Sequence, residues 1–136
     1  MNKGFILDTD TVSFYLKNKE SVVEQFKKAI QGELLVGITL ITHYEILSGL
    51  KFKHSEKYLK SYLNFSKELN IYPLTEQSVE LSSEIYASLR KKGNPLDDID
   101  ILIAGIAIEN KNILVTGNAT HFGRIKGLNI EDWITR

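Results

Sequence analysis

The chain has 136 residues, 43% of them hydrophobic and 25% charged, with 17 basic side chains against 17 acidic ones. This composition is typical of a single globular domain spanning residues 1–136, and the even charge excludes a protein held to a polyanion by net charge alone. The absence of cysteine excludes disulfides and thiolate metal sites and agrees with the reducing cytoplasm, and no apolar run is long enough to cross a membrane.

The first half of the chain alternates short apolar runs with helical patterns. Phe5–Leu7 predicts a buried strand, and helical patterns start near Thr11 and near Ser21. Residues 34–38 predict a second strand, which leads into a helix over residues 44–50.

The second half continues this alternation. An amphipathic helix is predicted over residues 55–69, and Pro73 marks residues 71–74 as a short edge strand because proline has no amide to donate. Thr75 is the expected N-cap of the next helix, which runs to Lys92. The remaining predicted elements are a helix over residues 97–110 and strands over residues 113–116 and 128–130.

Alternating strands and helices of this kind predict an α/β fold with a parallel sheet between two layers of helices. Ligands of such sheets bind at the carboxyl ends of the strands, and Asp8 and Asn118 fall at those ends. A carboxylate beside an apolar run is costly unless it is paired. A divalent cation would neutralise such carboxylates and activate a water molecule, so a metal-dependent hydrolase is the first hypothesis.

Asp8 directly follows the first predicted strand, where a carboxylate can face the crevice above the sheet. The alternative is that Asp8 caps the helix that starts near Thr11, but Asp10 is the better candidate for that cap. We therefore predict Asp8 as a site residue and Asp10 as the N-cap.

Glu45 lies within the predicted 44–50 helix, with the small residues Ser48 and Gly49 about one turn away. The space beside them would accommodate a metal ion and its waters. Glu45 is alternatively a solvated residue on the outside of the helix, and periodicity alone does not separate the two interpretations.

Three carboxylates open the helix predicted from residue 97, namely Asp97, Asp98 and Asp100. Acidic residues stabilise the first turn of a helix, which accounts for one or two of them. Three carboxylates within four positions also repel one another and raise their pKa values unless a cation is present. We predict Asp97 as the N-cap, Asp100 as a metal ligand and Asp98 as its support.

Asn118 follows the strand predicted over residues 113–116 and could supply an oxygen donor, although a simple Gly-Asn turn explains it as well. The three histidines, His43, His54 and His121, have no spacing that resembles a zinc motif. A site built from oxygen ligands favours Mg²⁺, with Mn²⁺ as the second choice.

Four segments of the chain together resemble the PIN-domain ribonucleases, and specifically the VapC-type toxins of toxin–antitoxin pairs. They are Leu7-Asp8-Thr9-Asp10, Glu45-Ile46-Leu47-Ser48-Gly49, Gly93-Asn94-Pro95-Leu96 leading into Asp100-Ile101-Leu102-Ile103-Ala104, and Thr116-Gly117-Asn118 with Phe122. Gly127-Leu128 and Trp133 agree with the same pattern. Each motif is weak alone, but their order and spacing are specific.

The resemblance implies a three-layer α/β/α fold with a central, mostly parallel sheet and a Mg²⁺-dependent endoribonuclease site. It assigns Asp8, Glu45 and Asp100 to an acidic triad, and it places Asn118 at a fourth position that is often aspartate. Asp98 has an acidic counterpart in only part of the family. In this chemistry, Asp8 and Asp100 hold a metal that activates water, and Glu45 orients that water or holds a second metal. The implied partners are an RNA substrate, a cognate antitoxin and a second copy of the chain as a homodimer.

Lys51 and Lys53 follow Glu45 and precede a tyrosine-containing helix, a mixture that suits single-stranded RNA. The alternative is an amphipathic helix with core tyrosines and solvated lysines. Two other functions compete with the nuclease: a catalytically silent PIN-like module that binds RNA or protein, and a phosphatase or phosphoacceptor domain. The second would need a lysine after a late strand, and Thr116-Gly117-Asn118 supplies none.

Overall fold

A computed structural model describes residues 4–135 of the chain, which form five strands and seven helices. The strands are β1 (Phe5–Leu7), β2 (Val36–Thr39), β3 (Asn70–Tyr72), β4 (Ile113–Val115) and β5 (Ile130–Glu131). The helices are α1 (Thr9–Leu16), α2 (Glu20–Gln31), α3 (Leu40–Phe52), α4 (Glu56–Ser66), α5 (Glu76–Lys91), α6 (Asp98–Glu109) and α7 (Ala119–Phe122). None of the helices in this part of the chain has the length and apolarity to cross a bilayer.

The five strands form one sheet in the order β3-β2-β1-β4-β5, and every pair is parallel. The predicted α/β fold is therefore confirmed, with a sheet that is entirely parallel rather than mostly so. The chain runs outward from β1 through β2 to β3 and then returns to place β4 on the other side of β1. The strand order thus reverses between β1 and β4, which is where α/β sheets bind their ligands.

Helices cover both faces of the sheet because successive residues of a strand point to opposite faces. Phe5 and Leu7 of β1 pack with the buried residues of α1, α2, α3 and α4, whereas Ile6 packs with α5 and α6. The alternation continues in β4, where Leu114 joins the second layer and Val115 the first. The central strands β1 and β4 are therefore buried on both faces of the sheet, and this packing holds the residues at their carboxyl ends in place.

The N-terminal end of α1 differs from its prediction. Asp8, not Asp10, is the N-cap: its carboxylate accepts a hydrogen bond from the backbone amide of Thr11 at 2.9 Å, and α1 begins at Thr9. The prediction of Asp10 as the cap is wrong, because β1 ends at Leu7 and the helix starts without an intervening loop. Asp10 is exposed in the first turn.

The predicted N-cap of α5 is confirmed. Thr75 and Ser78 form a reciprocal capping box, and the helix gives way to Gly93 with φ +72°. Asp97 occupies the N-cap position of α6 as predicted, but its side chain makes no capping hydrogen bond. β3 is an edge strand, as Pro73 indicated, and the last strand lies slightly later than predicted.

Close contact between α5 and α6 fixes the helix that carries Asp100. A Cβ built on Gly105 would lie 2.7 Å from the backbone oxygen of Ser78 and would overlap the hydroxyl of Ser82. That hydroxyl donates to the backbone oxygen of Ile101 at 3.0 Å, so it holds the two helices together. Only glycine permits this approach.

Replacing Gly105 with alanine is therefore expected to destabilise the fold by about 1–3 kcal/mol through overpacking. The matched control is Gly49→Ala in α3, where no atom lies within 4 Å of the added Cβ. The control should instead stabilise the chain by about 0.5–1 kcal/mol, since alanine is the better helix former. Chemical denaturation measures both changes, and equal effects of the two substitutions would contradict the packing argument.

Candidate active site

Asp8 directly follows the central strand β1 and lies at the point where the strand order reverses. Its side chain is buried; it accepts the Thr11 amide and a second hydrogen bond from the buried Thr116 hydroxyl. Burial nevertheless raises the pKa of Asp8 above its ordinary 3.8, because these hydrogen bonds offset only part of the desolvation. Capping and a site role are therefore not exclusive, since the Asp8 charge also acts on Asp100.

Helix α3 places Glu45 against the start of α1. The Thr9 hydroxyl donates to Glu45 Oε1 at 2.6 Å and lies 3.2 Å from the Thr42 hydroxyl. Glu45 is partly buried, so it is not the solvated exterior residue of the alternative interpretation. The space around Gly49 is open, as predicted for the small residues near Glu45.

Asp100 supplies the third carboxylate, from the first turn of α6. Partial burial raises the pKa of Asp100 above its ordinary 3.8, and the charges of Asp97, Asp8 and Glu45 raise it further. The imidazole of His121 has the opposite effect on the pKa of Asp100. The structure thus brings three carboxylates into one electrostatic cluster: Asp8 from the end of β1, Glu45 from α3 and Asp100 from α6.

Two residues at this edge were missed by sequence reasoning. Thr116 is buried and orients Asp8, and its Oγ1 also accepts the backbone amide of Asn118 at 3.0 Å. His121 lies in α7, with its Nδ1 2.7 Å from the side-chain amide nitrogen of Asn118. No spacing in the sequence indicates either contact, because both depend on how the segment after β4 turns.

Some predicted site residues lie apart from the cluster. Asp98 is exposed in the first turn of α6 and is not among the groups that shift the pKa of Asp100. Lys51 and Lys53 are both exposed, and Lys53 lines a groove that also contains Glu45. His43 forms a hydrogen bond away from the cluster, since its Nδ1 lies 2.6 Å from the hydroxyl of the buried Tyr62.

A groove of about 560 Å³ adjoins Glu45 between α1, α3 and α4. Thr9 and Glu45 line this groove, together with the apolar Leu16, Ile46 and Leu50. Its cationic lining residues are Lys17 and Lys53, and His54 lies beside them. The groove therefore joins an anionic site to an apolar, positively rimmed channel.

The donor chemistry of the cluster fits a hard divalent cation. All three carboxylates present oxygen, and no lysine or arginine of residues 4–135 is among the groups that shift the pKa of Asp8 or Asp100. As the side chains are placed, however, no three acidic or histidine groups in this part of the chain converge closely enough to hold a metal ion. The excess negative charge favours a cation, although the side chains do not by themselves form a closed ligand set.

Comparison with known proteins identifies the family and agrees with the fold. A family model described as "PIN domain" matches residues 5–128. The chain belongs to the PIN-domain family. It is 34% identical over 131 residues to the tRNA(fMet)-specific endonuclease VapC of Salmonella typhimurium, with 95% of this chain and 97% of that protein covered. It is 37% identical over 115 residues to the ribonuclease VapC1 of Methanocaldococcus jannaschii, with 82% of each covered.

Solved structures agree with this assignment to the VapC-type PIN ribonucleases. The DNA-bound VapBC of Salmonella typhimurium matches with a TM-score of 0.86 and 35% identity, covering 98% of this chain and 99% of that one. VapBC2 of Rickettsia felis, bound to a promoter DNA fragment, matches with a TM-score of 0.89 and 25% identity, covering 95% and 98%. The predicted family and fold are thus both confirmed.

The hydrogen bond from Thr9 to Glu45 yields a prediction for this PIN-type site. Thr9→Val removes the donor while keeping the side-chain shape, and it should lower kcat for RNA cleavage about tenfold, since a hydrogen bond to a charged group contributes about 1.5 kcal/mol or more. Thr9→Ser retains the hydroxyl and should restore most of the rate. Steady-state kinetics of both variants measure the effect, and an equal loss in the serine variant would assign it to packing instead.

The repulsion at Asp100 yields a second prediction. Ionising Asp100 costs folded-state free energy at neutral pH because its pKa is raised, and this cost vanishes as the pH falls below 3.8, where the carboxyl is protonated in both states. Asp100→Asn should therefore raise the Tm at pH 7 in EDTA by on the order of 2 °C. The gain should shrink towards acidic pH.

Added Mg²⁺ is expected to reverse the order of the melting temperatures of the unaltered chain and the Asp100 variant, because a cation held by the intact carboxylate cluster would stabilise it more than the variant. Asp98→Asn is the matched control, since Asp98 is exposed and does not act on the pKa of Asp100. Differential scanning calorimetry measures all three proteins. Identical Mg²⁺ shifts in the unaltered chain and the Asp100 variant would contradict an ion site at this cluster.

Proposed function

We propose that the chain is a Mg²⁺-dependent endoribonuclease that hydrolyses RNA phosphodiester bonds as the toxin of a toxin–antitoxin pair. The observation that carries the proposal is the electrostatic cluster of Asp8, Glu45 and Asp100 at the switch point of a PIN fold. Each carboxylate comes from a different segment of the chain, and the partial burial and mutual repulsion of the cluster are costly in a merely structural role.

In this proposal, Asp8 and Asp100 are the principal ligands of the cation, and Glu45 completes the catalytic set. Bound there, Mg²⁺ would polarise the phosphodiester and lower the pKa of a water molecule. The chain's own groups set the orientation of these carboxylates. The Thr11 amide and the Thr116 hydroxyl fix Asp8, and the Thr9 hydroxyl fixes Glu45. Glu45, held in this way, would orient the attacking water and take up its proton.

Two further residues would support this set. Asn118 would add its Oδ1 as a ligand, and its Nδ2 lies 2.7 Å from Nδ1 of His121. Asp98 would act from the exposed first turn of α6 by adding negative charge rather than as a direct ligand.

RNA is the proposed substrate, and tRNA is the first class to test. The Salmonella relative is named a tRNA(fMet)-specific endonuclease. Lys53 lines the groove beside Glu45, and Lys51 is exposed near the end of the same helix, so both are placed to contact RNA phosphates. A substrate of this kind would place the protein in the cytoplasm.

A cognate antitoxin is the proposed protein partner. The matching structures from Salmonella typhimurium and Rickettsia felis are VapBC complexes. The groove between α1, α3 and α4 has apolar walls at Leu16, Ile46 and Leu50 and leads to Glu45. A peptide with apolar side chains and an arginine would suit it, because the acidic cluster attracts a guanidinium.

A homodimer is the proposed assembly. Large apolar side chains are exposed on α3, around β3 and on α5, namely Leu40, Tyr44, Ile71, Leu74, Val79 and Tyr86. β3 is the edge of the sheet and α3 packs against it, so the exposed apolar residues of α3 and of the segment around β3 lie towards the same side of the molecule. Exposed apolar surface of this kind is typical of protein–protein interfaces.

The test is cleavage of purified tRNA and total RNA by the partner-free chain, with Mg²⁺ or with EDTA. Asp100→Asn should abolish discrete cleavage, because it removes one of the proposed cation ligands. Glu24→Gln, at an exposed carboxylate of α2, is the control purified in the same way and should cleave like the unaltered chain.

Contaminating nucleases would act equally in all three preparations. If the unaltered chain and the Asp100 variant give the same products, the nuclease proposal is wrong. The silent module that binds RNA or protein would then be the better description, and Mg²⁺ binding measured by calorimetry would be absent as well.

A further inference from the structure

A second groove lies on the opposite layer of the molecule, between α5 and the segment that follows α7. Its volume is about 290 Å³, and its charged lining residues are Lys92, Arg124 and Lys126 against a single acid, Glu84. Ser88 and several aliphatic side chains complete its walls. Three basic side chains of the lysine and arginine type thus line this groove, whereas two lysines line the first groove.

The three cations have no ion-pair partner among residues 4–135. Lys92 is the C-cap residue of α5, where a positive charge also complements the helix dipole. Arg124 and Lys126 have no such explanation, because the preceding helix α7 has only four residues. Their charges are therefore available to an anion.

The segment that supplies Arg124 and Lys126 to the second groove directly follows α7, the helix that contains His121. His121 acts on the pKa of Asp100, and the backbone amide of Arg124 donates to the His121 carbonyl at 3.3 Å. Phe122 and Ile125 are buried in the core of this layer, so the backbone between the site and the groove is anchored. Arg124 and Lys126 are thus presented from a fixed segment one turn beyond the site.

We propose that Lys92, Arg124 and Lys126 form a phosphate-binding groove for the RNA strand where it leaves the acidic cluster. The proposal rests on the proposed ribonuclease function. The acidic cluster repels RNA phosphates, and the chain has no net charge to overcome this repulsion, so a local cationic track is needed. The side chains bind the backbone and not the bases, so they contribute affinity rather than sequence preference.

The test measures RNA affinity without cleavage, in an Asp100→Asn background with Mg²⁺ present. The probe is fluorescein-labelled initiator tRNA made by transcription, and fluorescence anisotropy is recorded over a series of salt concentrations. Arg124→Gln combined with Lys126→Gln should weaken binding about tenfold near 0.1 M salt and should reduce the slope of log affinity against log salt by about 1.4, or 0.7 for each lost contact to single-stranded RNA.

The matched control combines Lys27→Gln with Lys111→Gln, which removes the same charge from exposed positions. Lys27 lies in the half of α2 that leads towards the start of β2, and Lys111 lies just before β4, so both are near the amino edge of the sheet. This control should keep the affinity and salt slope of its parent. If the Arg124/Lys126 variant behaves like the control, the second groove does not bind RNA.

Position can be tested independently because the chain contains no cysteine. Lys126→Cys, labelled with a benzophenone maleimide, should crosslink to the tRNA on illumination, whereas Lys111→Cys should not. Equal crosslinking from both positions, or no binding of tRNA at all, would overturn the proposal. If the Arg124→Gln/Lys126→Gln variant, with Asp100 intact, cleaves RNA as fast as the unaltered chain, the groove proposal is wrong and the nuclease function still stands.

Discussion

One electrostatic constraint governs this structure: three carboxylates of like charge are held together at a partly buried edge of the sheet. Desolvation and mutual repulsion raise the pKa of Asp100, and burial raises that of Asp8. The stabilisation that offsets this comes from elsewhere, from the core on both faces of β1 and from the close contact of α5 with α6 at Gly105. The rigidity of the fold is thus a condition for the site.

Threonine hydroxyls orient two of these carboxylates without neutralising their charge. Thr9 donates to Glu45, and Thr116 donates to Asp8, and neither brings a charge. A lysine in either place would hold the carboxylate as firmly, but it would compete with a divalent cation for the same negative charge. Neutral donors therefore give a site whose geometry is fixed and whose charge is left for a cation.

The sequence predicted the fold well because strand alternation, Pro73 and the N-cap at Thr75 are local signals. It failed at Asp8 and Asp10 because capping was treated as excluding a site role, whereas a carboxylate has two oxygens. The contacts of Thr9, Thr116 and His121 could not be predicted from the sequence, because each depends on segments that meet only in the folded chain. Thr9 and Glu45, for example, are 36 residues apart.

The two grooves differ in their charged lining, and this separates the two kinds of macromolecule proposed to bind. The groove between α1, α3 and α4 has apolar walls that reach Glu45 and suits a peptide, whereas the groove by α5 carries Lys92, Arg124 and Lys126 and suits a phosphate chain. The first groove reaches the carboxylates directly, and the second lies on the opposite layer, beside the segment that follows α7. A peptide arginine and an RNA phosphate would compete only at the cluster itself, so an antitoxin could silence the enzyme without covering the second groove.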